Sequence, residues 1–248
     1  MKRKDKLKVV ESYYPKAFTT TDIVNRFFDI VEDHFDLEPR QIMLADSICS
    51  DDVNSIEYPT RAYEMLGPFK MGGLNGFPFT GITGMNAFAH HVPEDGAVFI
   101  YYAPHIGISK ERKTGEINRI GQSKPSACCG AAKAALSKLL KNEILPGHIT
   151  ELDYQQNTIE QIFFNDKERI VNATNPLVEA TEVMYEAIDK RIHTLVEQTD
   201  YPARYLILMG AILINGDHDM GSLTECRRFD VIDLDTKEKK DMIRDLIS

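Results

Sequence analysis

The chain is poor in the features that would make it a membrane, nucleic-acid-binding or disulfide-stabilised protein. Its longest apolar runs, such as Tyr205 to Ile214, are about half the roughly 20 residues that a membrane-spanning helix needs. The 38 acidic side chains outnumber the 29 basic ones and give a net charge of −9, whereas phosphate binding needs a basic surface. Only four of the 248 residues are cysteine, too few for a disulfide framework. We therefore expect a soluble globular protein with neither nucleic acid nor a membrane as partner.

The order of the apolar segments predicts an α/β fold with a mostly parallel central sheet flanked by helices. Continuous apolar runs predict three buried strands that alternate with helices, at 41–45, 97–102 and 205–214. A turn at 94–96 precedes the second of them. We expect the last of these strands, with a neighbour at 227–234, to lie at an edge of the sheet. No repeat or linker divides residues 1–248, so we expect a single domain with an N-terminal helical extension.

Three side chains that can bind a metal follow the predicted strands. Cys49 follows the first strand, His105 follows the second, and Cys129 begins the helix after it. Since sites in open α/β sheets form at the carboxyl ends of the strands, we expect these side chains to meet. Two thiolates and one imidazole leave the fourth tetrahedral position for water, as in a catalytic zinc site. Cys128 is a rival of its neighbour Cys129 as a ligand, and Cys226 is expected to be a free thiol.

The residues around these positions resemble known zinc enzymes. Cys49-Ser-Asp51 resembles the Cys-x-Asp-x-Arg signature of β-carbonic anhydrases, and residues 129–136 resemble the run that opens the helix behind their second cysteine. More specifically, the segments 72–78, 102–107 and 121–126 resemble the limiting-carbon-dioxide-inducible B/C protein family, which is β-carbonic-anhydrase-like and of theta type. That resemblance implies a β-carbonic-anhydrase-like domain, a Cys-His-Cys zinc site, a homodimer, and reversible hydration of carbon dioxide to bicarbonate.

The sequence departs from the ordinary β-carbonic anhydrase pattern in two places. Val53 stands where the signature has its arginine, so a different arginine must hold Asp51. Arg61 and Arg119 are both candidates, and Arg61 is included with Asp51 among the expected catalytic residues. A polar insertion follows His105 and separates it from the second cysteine, and we expect this insertion to lie over the site as a lid or entrance wall.

The expected mechanism assigns a role to several further side chains. Zinc brings the pKa of a bound water toward neutrality, and Asp51 accepts a hydrogen bond that directs this water at carbon dioxide. Phe77, Phe79 and Ile106 are expected to supply the apolar surface that carbon dioxide needs. His91 is the expected proton shuttle, because an imidazole titrates near neutral pH. It also ends a predicted helix, where an imidazole can simply offset the helix dipole.

Two other functions remain open from the sequence. The chain could be a catalytically silent zinc-binding partner or bicarbonate sensor in a carbon-concentrating mechanism, because Val53 replaces the signature arginine. It could also be a thiol enzyme that uses Cys128 or Cys129 at a helix N-terminus, where the dipole lowers the pKa of a thiol. The basic residues 1–6 are followed by no apolar segment of the secretory type. We expect an intracellular protein of a plastid or a bacterial cytoplasm.

Overall fold

The structure is a computed structural model, and it describes residues 1–54, 60–93 and 95–248. Its helices are α1 (Arg3–Val10), α2 (Thr20–Phe35), α3 (Gly81–Ala89), α4 (Gly130–Leu140), α5 (Tyr154–Asn165), α6 (Lys167–Val171), α7 (Pro176–Glu197) and α8 (Ile243–Ile247). Its strands are β1 (Phe18–Thr19), β2 (Ile42–Ser47), β3 (Leu66–Lys70), β4 (Ala97–Tyr102), β5 (His105–Gly107), β6 (Glu116–Ile117), β7 (Ser126–Ala127), β8 (Tyr205–Asn215), β9 (Ser222–Asp233) and β10 (Lys239–Asp241). Within these ranges no helix is both long and apolar enough to cross a bilayer. The predicted turn at 94–96 includes Glu94, which lies outside the described residues.

One mixed sheet of eight strands forms the centre of the fold. Its main order is β1-β9-β8-β4-β2-β3, with β5 beside β8 and β10 beside β9. The neighbours β3, β2, β4 and β8 are parallel, and β9 returns antiparallel to β8. The predicted mostly parallel sheet flanked by helices is therefore confirmed. The predicted edge position of the strand at 205–214 is wrong, because β8 has β4 on one side and β9 on the other.

The side chains of the central strands alternate between two buried cores. Even-numbered residues of β4 and β8 enter the first core, together with α3, α4, α5 and α7. Odd-numbered residues of the same strands enter the second core, together with α2 and α8. This alternation follows from the period of two along a strand. In the second core, Phe27 of α2 stacks on Phe99 of β4 with the ring centroids 4.2 Å apart. Helices therefore cover both faces and leave the strand ends open for a site.

The length of β8 brings the carboxyl ends of several strands together. β4 has 6 residues, whereas β8 has 11 and extends past the end of β4. The chain leaves β4, resumes as β5 and pairs with this extension, so that His105 lies opposite Leu213. The hairpin of β6 and β7 is joined to β5, because Gly107 donates a backbone hydrogen bond to Cys128 and accepts one from Gly115. These connections fix the backbone around His105 at the carboxyl end of the sheet.

Candidate metal centre

Cys49, His105 and Cys129 meet at the carboxyl end of the sheet. One donor atom from each lies within 4.8 Å of the others, and the two sulphur atoms are 3.9 Å apart. All three side chains are buried. Cys49 follows β2, His105 begins β5, and Cys129 is the N-cap residue of α4. The structure thus gathers two thiols and one imidazole from three segments that are far apart in the sequence.

Asn215, the last residue of β8, orients the ring of His105. The Nδ1 atom of His105 lies 2.7 Å from Oδ1 of Asn215, whose Nδ2 donates to Oδ1 of Asn54 at 3.2 Å. With the Asn215 oxygen as acceptor, Nδ1 carries a hydrogen, and in the neutral imidazole Nε2 then carries the lone pair. Among the described residues, Nε2 of His105 is buried without a hydrogen-bond partner. A buried and unpaired lone pair of this kind fits a metal ion.

The two adjacent cysteines lie on different sides of His105. The sulphur of Cys128 is 3.7 Å from Nδ1 of His105, the nitrogen that carries the hydrogen. The sulphur of Cys129 lies against that of Cys49 instead. A second group of donors, Asp51, His105 and Cys128, also lies within 4.8 Å. The geometry nevertheless favours Cys129. Cys128 faces Nδ1 of His105, whereas a metal would bind Nε2, the other nitrogen of the ring.

The contact between the two sulphur atoms shifts the pKa values of the two thiols in opposite directions. The hydrogen bond with Cys129 lowers the pKa of Cys49 to about 4; burial acts in the opposite direction, and His105 adds to the lowering. The same sulphur–sulphur contact raises the pKa of Cys129, and burial raises it further. The backbone N–H of Asn75 donates to the Cys49 sulphur at 3.1 Å. Thiolate sulphur together with imidazole nitrogen is a donor set that zinc prefers.

Asp51 is bound by Arg119 rather than by Arg61. The Nη1 and Nη2 atoms of Arg119 donate to the two oxygens of Asp51 at 2.9 and 3.1 Å. Arg61 forms ion pairs with Asp29 and Glu32 of α2, because the short 3-10 helix that carries it packs on α2. The expectation that Arg61 is a catalytic partner of Asp51 is therefore wrong. Burial raises the pKa of the Asp51 carboxyl, but the effects of Arg119, Asp52 and His105 together outweigh burial and lower the pKa.

The Asp51 carboxylate stands at the border of the donor cluster. Its Oδ2 atom is 4.0 Å from Nε2 of His105. Both of its oxygens accept a hydrogen bond from the Arg119 guanidinium, a bidentate geometry that fixes a carboxylate in one orientation. Asp51 is thus ionised, close to the expected metal position and directed by a second charged side chain.

The polar insertion after His105 is anchored at both ends by one carboxylate. The backbone N–H of Lys110 donates to Oδ2 of Asp217 at 3.0 Å, and that of Asn118 donates to Oδ1 at 2.7 Å. Asp217 follows β8 and is 2% exposed. Because Asn118 immediately precedes Arg119, this anchor determines where the guanidinium stands. The insertion therefore contributes a residue, Arg119, to the site.

The structure does not place His91 with the site residues. His91 is exposed and follows α3, which begins near the carboxyl end of the sheet. From His91 the chain leads to the first residue of β4, Ala97. The six residues of β4 span about 20 Å, so His91 lies toward the opposite end of the sheet. The expected role of His91 as a proton shuttle has no support from the geometry of one chain.

The apolar side chains that were expected near the site lie in or against the core that contains its cysteines, or against one another. Ile106 belongs to the same buried core as Cys49 and Cys129, and Phe77 packs against that core. The rings of Phe77 and Phe79 are in edge contact, with centroids 5.1 Å apart. These side chains lower the polarity around the donors.

Sequence reasoning missed the amide side chains around the donor set. Asn215 ends β8, so the rule that found His105 at a strand end could also have found it. Asn54 and Asn75 stand in short 3-10 helices, and no spacing pattern distinguishes them. Asn54 donates from Nδ2 to the backbone oxygen of Cys49 at 3.4 Å and so links that cysteine to Asn215.

The fold and the donor cluster define a metal-site protein of the β-carbonic-anhydrase-like class. The chain belongs to the family of limiting CO2-inducible proteins B/C, beta carbonic anhydrases, whose family model matches residues 17–233. No protein with curated function matches the chain.

Solved structures of the same family are similar over nearly the whole chain. PtLCIB4, a homolog of the limiting CO2-inducible protein LCIB, is 28% identical with a TM-score of 0.83, and the match covers 95% of this chain and 98% of that one. A substituted variant of PtLCIB4 is 29% identical with a TM-score of 0.82, covering 92% and 95%. LCIB is 18% identical with a TM-score of 0.70, covering 93% and 95%, and this match shows the fold alone.

Proposed function

We propose that the chain is a zinc-dependent carbonic anhydrase, a carbon–oxygen lyase that interconverts carbon dioxide and bicarbonate. The observation that carries this proposal is the Nε2 atom of His105. It is buried, it lies in one cluster with the thiols of Cys49 and Cys129, and in the described part of the chain it lacks a hydrogen-bond partner. Zinc bound by these three side chains would supply the acidification of a water molecule. Membership of the family supports the same reaction class.

Asp51 and Arg119 are the protein's own contribution to the hydration step. Asp51 accepts a hydrogen bond from the attacking water, whose lone pair is thereby directed at the carbon of carbon dioxide. Arg119 keeps the carboxylate ionised and occupies both of its oxygens. Asp51 is therefore held back from the fourth metal position, where it would block the site. Ile106 and Phe77, which lie in or against the core that contains the cysteines, would limit the access of bulk water.

The two alternative functions have less support. The silent homologue was favoured by Val53 in place of the signature arginine, but the insertion supplies Arg119 to the same carboxylate. A thiol enzyme needs an accessible cysteine, whereas Cys128 and Cys129 are both buried. Neither the missing arginine at position 53 nor the position of the two adjacent cysteines therefore favours an alternative over a carbonic anhydrase.

Replacement of one ligand tests the proposed function directly. We expect Cys49→Ala to lose stoichiometric zinc and carbon dioxide hydration together, because two protein ligands bind zinc far more weakly than three. Zinc content and stopped-flow hydration at alkaline pH are measured on the same sample. Cys226→Ala is the matched control, since Cys226 is a buried free thiol in the second core.

Two results would contradict different parts of the proposal. A Cys49→Ala protein that keeps stoichiometric zinc would show that the ligand assignment is wrong. A zinc-replete wild-type protein without hydration activity would exclude catalysis and support the silent partner or bicarbonate sensor.

A further inference from the structure

Asn75 contacts the sulphur of Cys49 through its backbone, and its carboxamide has no hydrogen-bond partner among the described residues. Asn75 is 1% exposed, and among the residues with described positions neither its Oδ1 nor its Nδ2 has a hydrogen-bond partner. Its backbone N–H donates to the Cys49 sulphur at 3.1 Å, so the residue is in direct contact with the donor cluster. A residue that contacts a proposed metal ligand therefore carries a buried donor and a buried acceptor that are both unsatisfied within the described part of the chain.

The backbone conformation favours asparagine or glycine at this position, but it does not account for a buried carboxamide without a partner. Asn75 has a φ of 53°, a left-handed conformation that asparagine tolerates and glycine adopts freely. The next residue, Gly76, has a φ of 78°, and a Cβ there would lie 2.3 Å from the Ala103 carbonyl oxygen. A glycine at position 75 would also form the turn, without the desolvation cost of two unpaired polar atoms. The buried carboxamide is therefore available to a ligand from outside the chain.

The turn that carries Asn75 is fixed by its neighbours. The backbone N–H of Leu74 donates to Oε1 of Gln155 at 2.8 Å, and Oγ of Ser47 donates to the backbone oxygen of Gly76 at 2.9 Å. Gly73 donates to the backbone oxygen of Phe77 at 3.0 Å. These contacts on both sides of Asn75 fix the backbone that carries the carboxamide before any ligand arrives, which favours binding.

We propose that Asn75 is a bicarbonate-binding residue. Its Nδ2 donates to a bicarbonate oxygen, and its Oδ1 accepts the hydrogen of the bicarbonate hydroxyl. Bicarbonate offers both kinds of partner, whereas carbon dioxide has no hydrogen to donate. The inference rests on the proposed function and deepens it, because it assigns a residue to the hydrated form of the substrate.

Two substitutions at position 75 separate substrate binding from folding. Asn75→Gly keeps the left-handed backbone and removes only the carboxamide, so we expect full zinc content and an unchanged thermal midpoint. We expect the KM for bicarbonate in the dehydration direction to rise about tenfold, as for the loss of one or two hydrogen bonds. Asn75→Asp keeps the shape but adds a negative charge, and we expect a larger rise because the charge repels the anion.

A binding measurement that needs no turnover accompanies the kinetics. Cobalt(II) replaces zinc, and its visible absorption bands are followed while bicarbonate is added to the intact protein. We expect the dissociation constant to rise about tenfold in Asn75→Gly. Asn142→Gly is the matched control, because Asn142 is also left-handed, with a φ of 58°, but is exposed at the end of α4. It should leave both constants unchanged.

The outcomes distinguish this inference from the proposed function. A wild-type protein that binds bicarbonate without turnover would contradict the proposed function, and the cobalt titration would still decide the role of Asn75. An unchanged dissociation constant in Asn75→Gly would overturn the inference even in a fully active enzyme. Loss of zinc from Asn75→Gly, or a wild-type protein that does not bind bicarbonate, would overturn it as well.

Discussion

Arg119 has more hydrogen bonds than the pairing with Asp51 alone requires. Its Nε donates to Oγ of Ser126 at 2.9 Å, its Nη2 donates to the backbone oxygen of Ala127 at 3.2 Å, and Nη1 also binds Asp52. These contacts come from β7 and from the segment after β2, so two separate elements fix the guanidinium plane. A side chain held in this way can orient a carboxylate before the substrate arrives.

Removal of this guanidinium is expected to reduce activity and leave the metal bound. We expect Arg119→Gln to retain zinc and to lose roughly 10- to 100-fold in kcat/KM, the usual range for residues that orient a metal site. The physical reason is that the released Asp51 carboxylate can move onto the metal. Steady-state hydration kinetics and zinc content measure the two effects.

Arg61→Gln is the control for this substitution. Arg61 forms ion pairs with partly exposed Asp29 and Glu32, and such pairs contribute about 1 kcal/mol or less to stability. We expect wild-type kinetics from it. Equal losses in the two variants would mean that the pairing of Arg119 with Asp51 has no special role.

The residues of the site were predictable to different degrees. Cys49, His105 and Cys129 could be proposed because the strand-end rule needs only the order of elements along the chain. Arg119 could not be chosen over Arg61, because the choice depends on the path of the insertion in three dimensions. Asp217 gave no signal either, since its burial arises from backbone groups of that same insertion.

At the scale of elements, hydrogen bonds from its backbone to the Asp217 carboxylate hold the insertion against the end of β8. Asp217→Asn replaces one carboxylate oxygen by a donor, which then faces a backbone N–H. We expect the unfolding free energy to fall by about 1–3 kcal/mol, the cost of leaving a buried polar group unpaired. We also expect hydration activity to fall while zinc remains, because the position of Arg119 is disturbed.

A double-mutant cycle separates this positioning role from general destabilisation. In the Arg119→Gln background, Asp217→Asn should cost little further activity, since the side chain that it positions is already gone. Asp219→Asn is the control in the same turn, because Asp219 is partly exposed and pairs only with the Lys110 ammonium among the contacts that the structure gives it. Additive losses in the cycle would contradict the positioning role.

The elements themselves were easier to predict than their neighbours in the sheet. The strands β2, β4 and β8 were predicted because apolar runs covered on both faces differ from amphipathic helices in their pattern. The central position of β8 was not predictable in the same way. An apolar run shows that a strand is buried, but its pairing with β4 depends on how the intervening helices cross the sheet.

At the scale of the whole molecule, the metal is expected to stabilise the fold. The expected ligands lie on segments next to β2, β5 and α4, which meet only in the folded sheet. Zinc at a free concentration of 100 times its dissociation constant contributes about 2.7 kcal/mol. For a chain of this size we expect the thermal midpoint to rise by roughly 5–10 °C. Thermal unfolding with zinc and with a chelator measures the shift, and the same shift in Cys49→Ala would place the metal elsewhere.

The quaternary structure, the domain organisation and the cellular compartment of the protein remain predictions. They comprise the pairing of two copies, the single-domain organisation of residues 1–248 and the plastid or bacterial compartment. Large apolar side chains are exposed between α4 and α5, with Leu145 at 65% and Leu152 at 100% exposure. A surface of this kind is suited to a second copy of the chain.

The dependence of His105 on β8 has a consequence for how the protein is made. His105 and Asn215 are 110 positions apart, and β5 pairs with the far end of β8. During synthesis, Cys49, His105 and Cys129 all leave the ribosome well before the strand that orients the imidazole. A nascent chain therefore carries every ligand long before it can form the centre. Binding of the expected zinc would therefore require a completed sheet, and a product truncated before β8 would hold all three expected ligands without an assembled site.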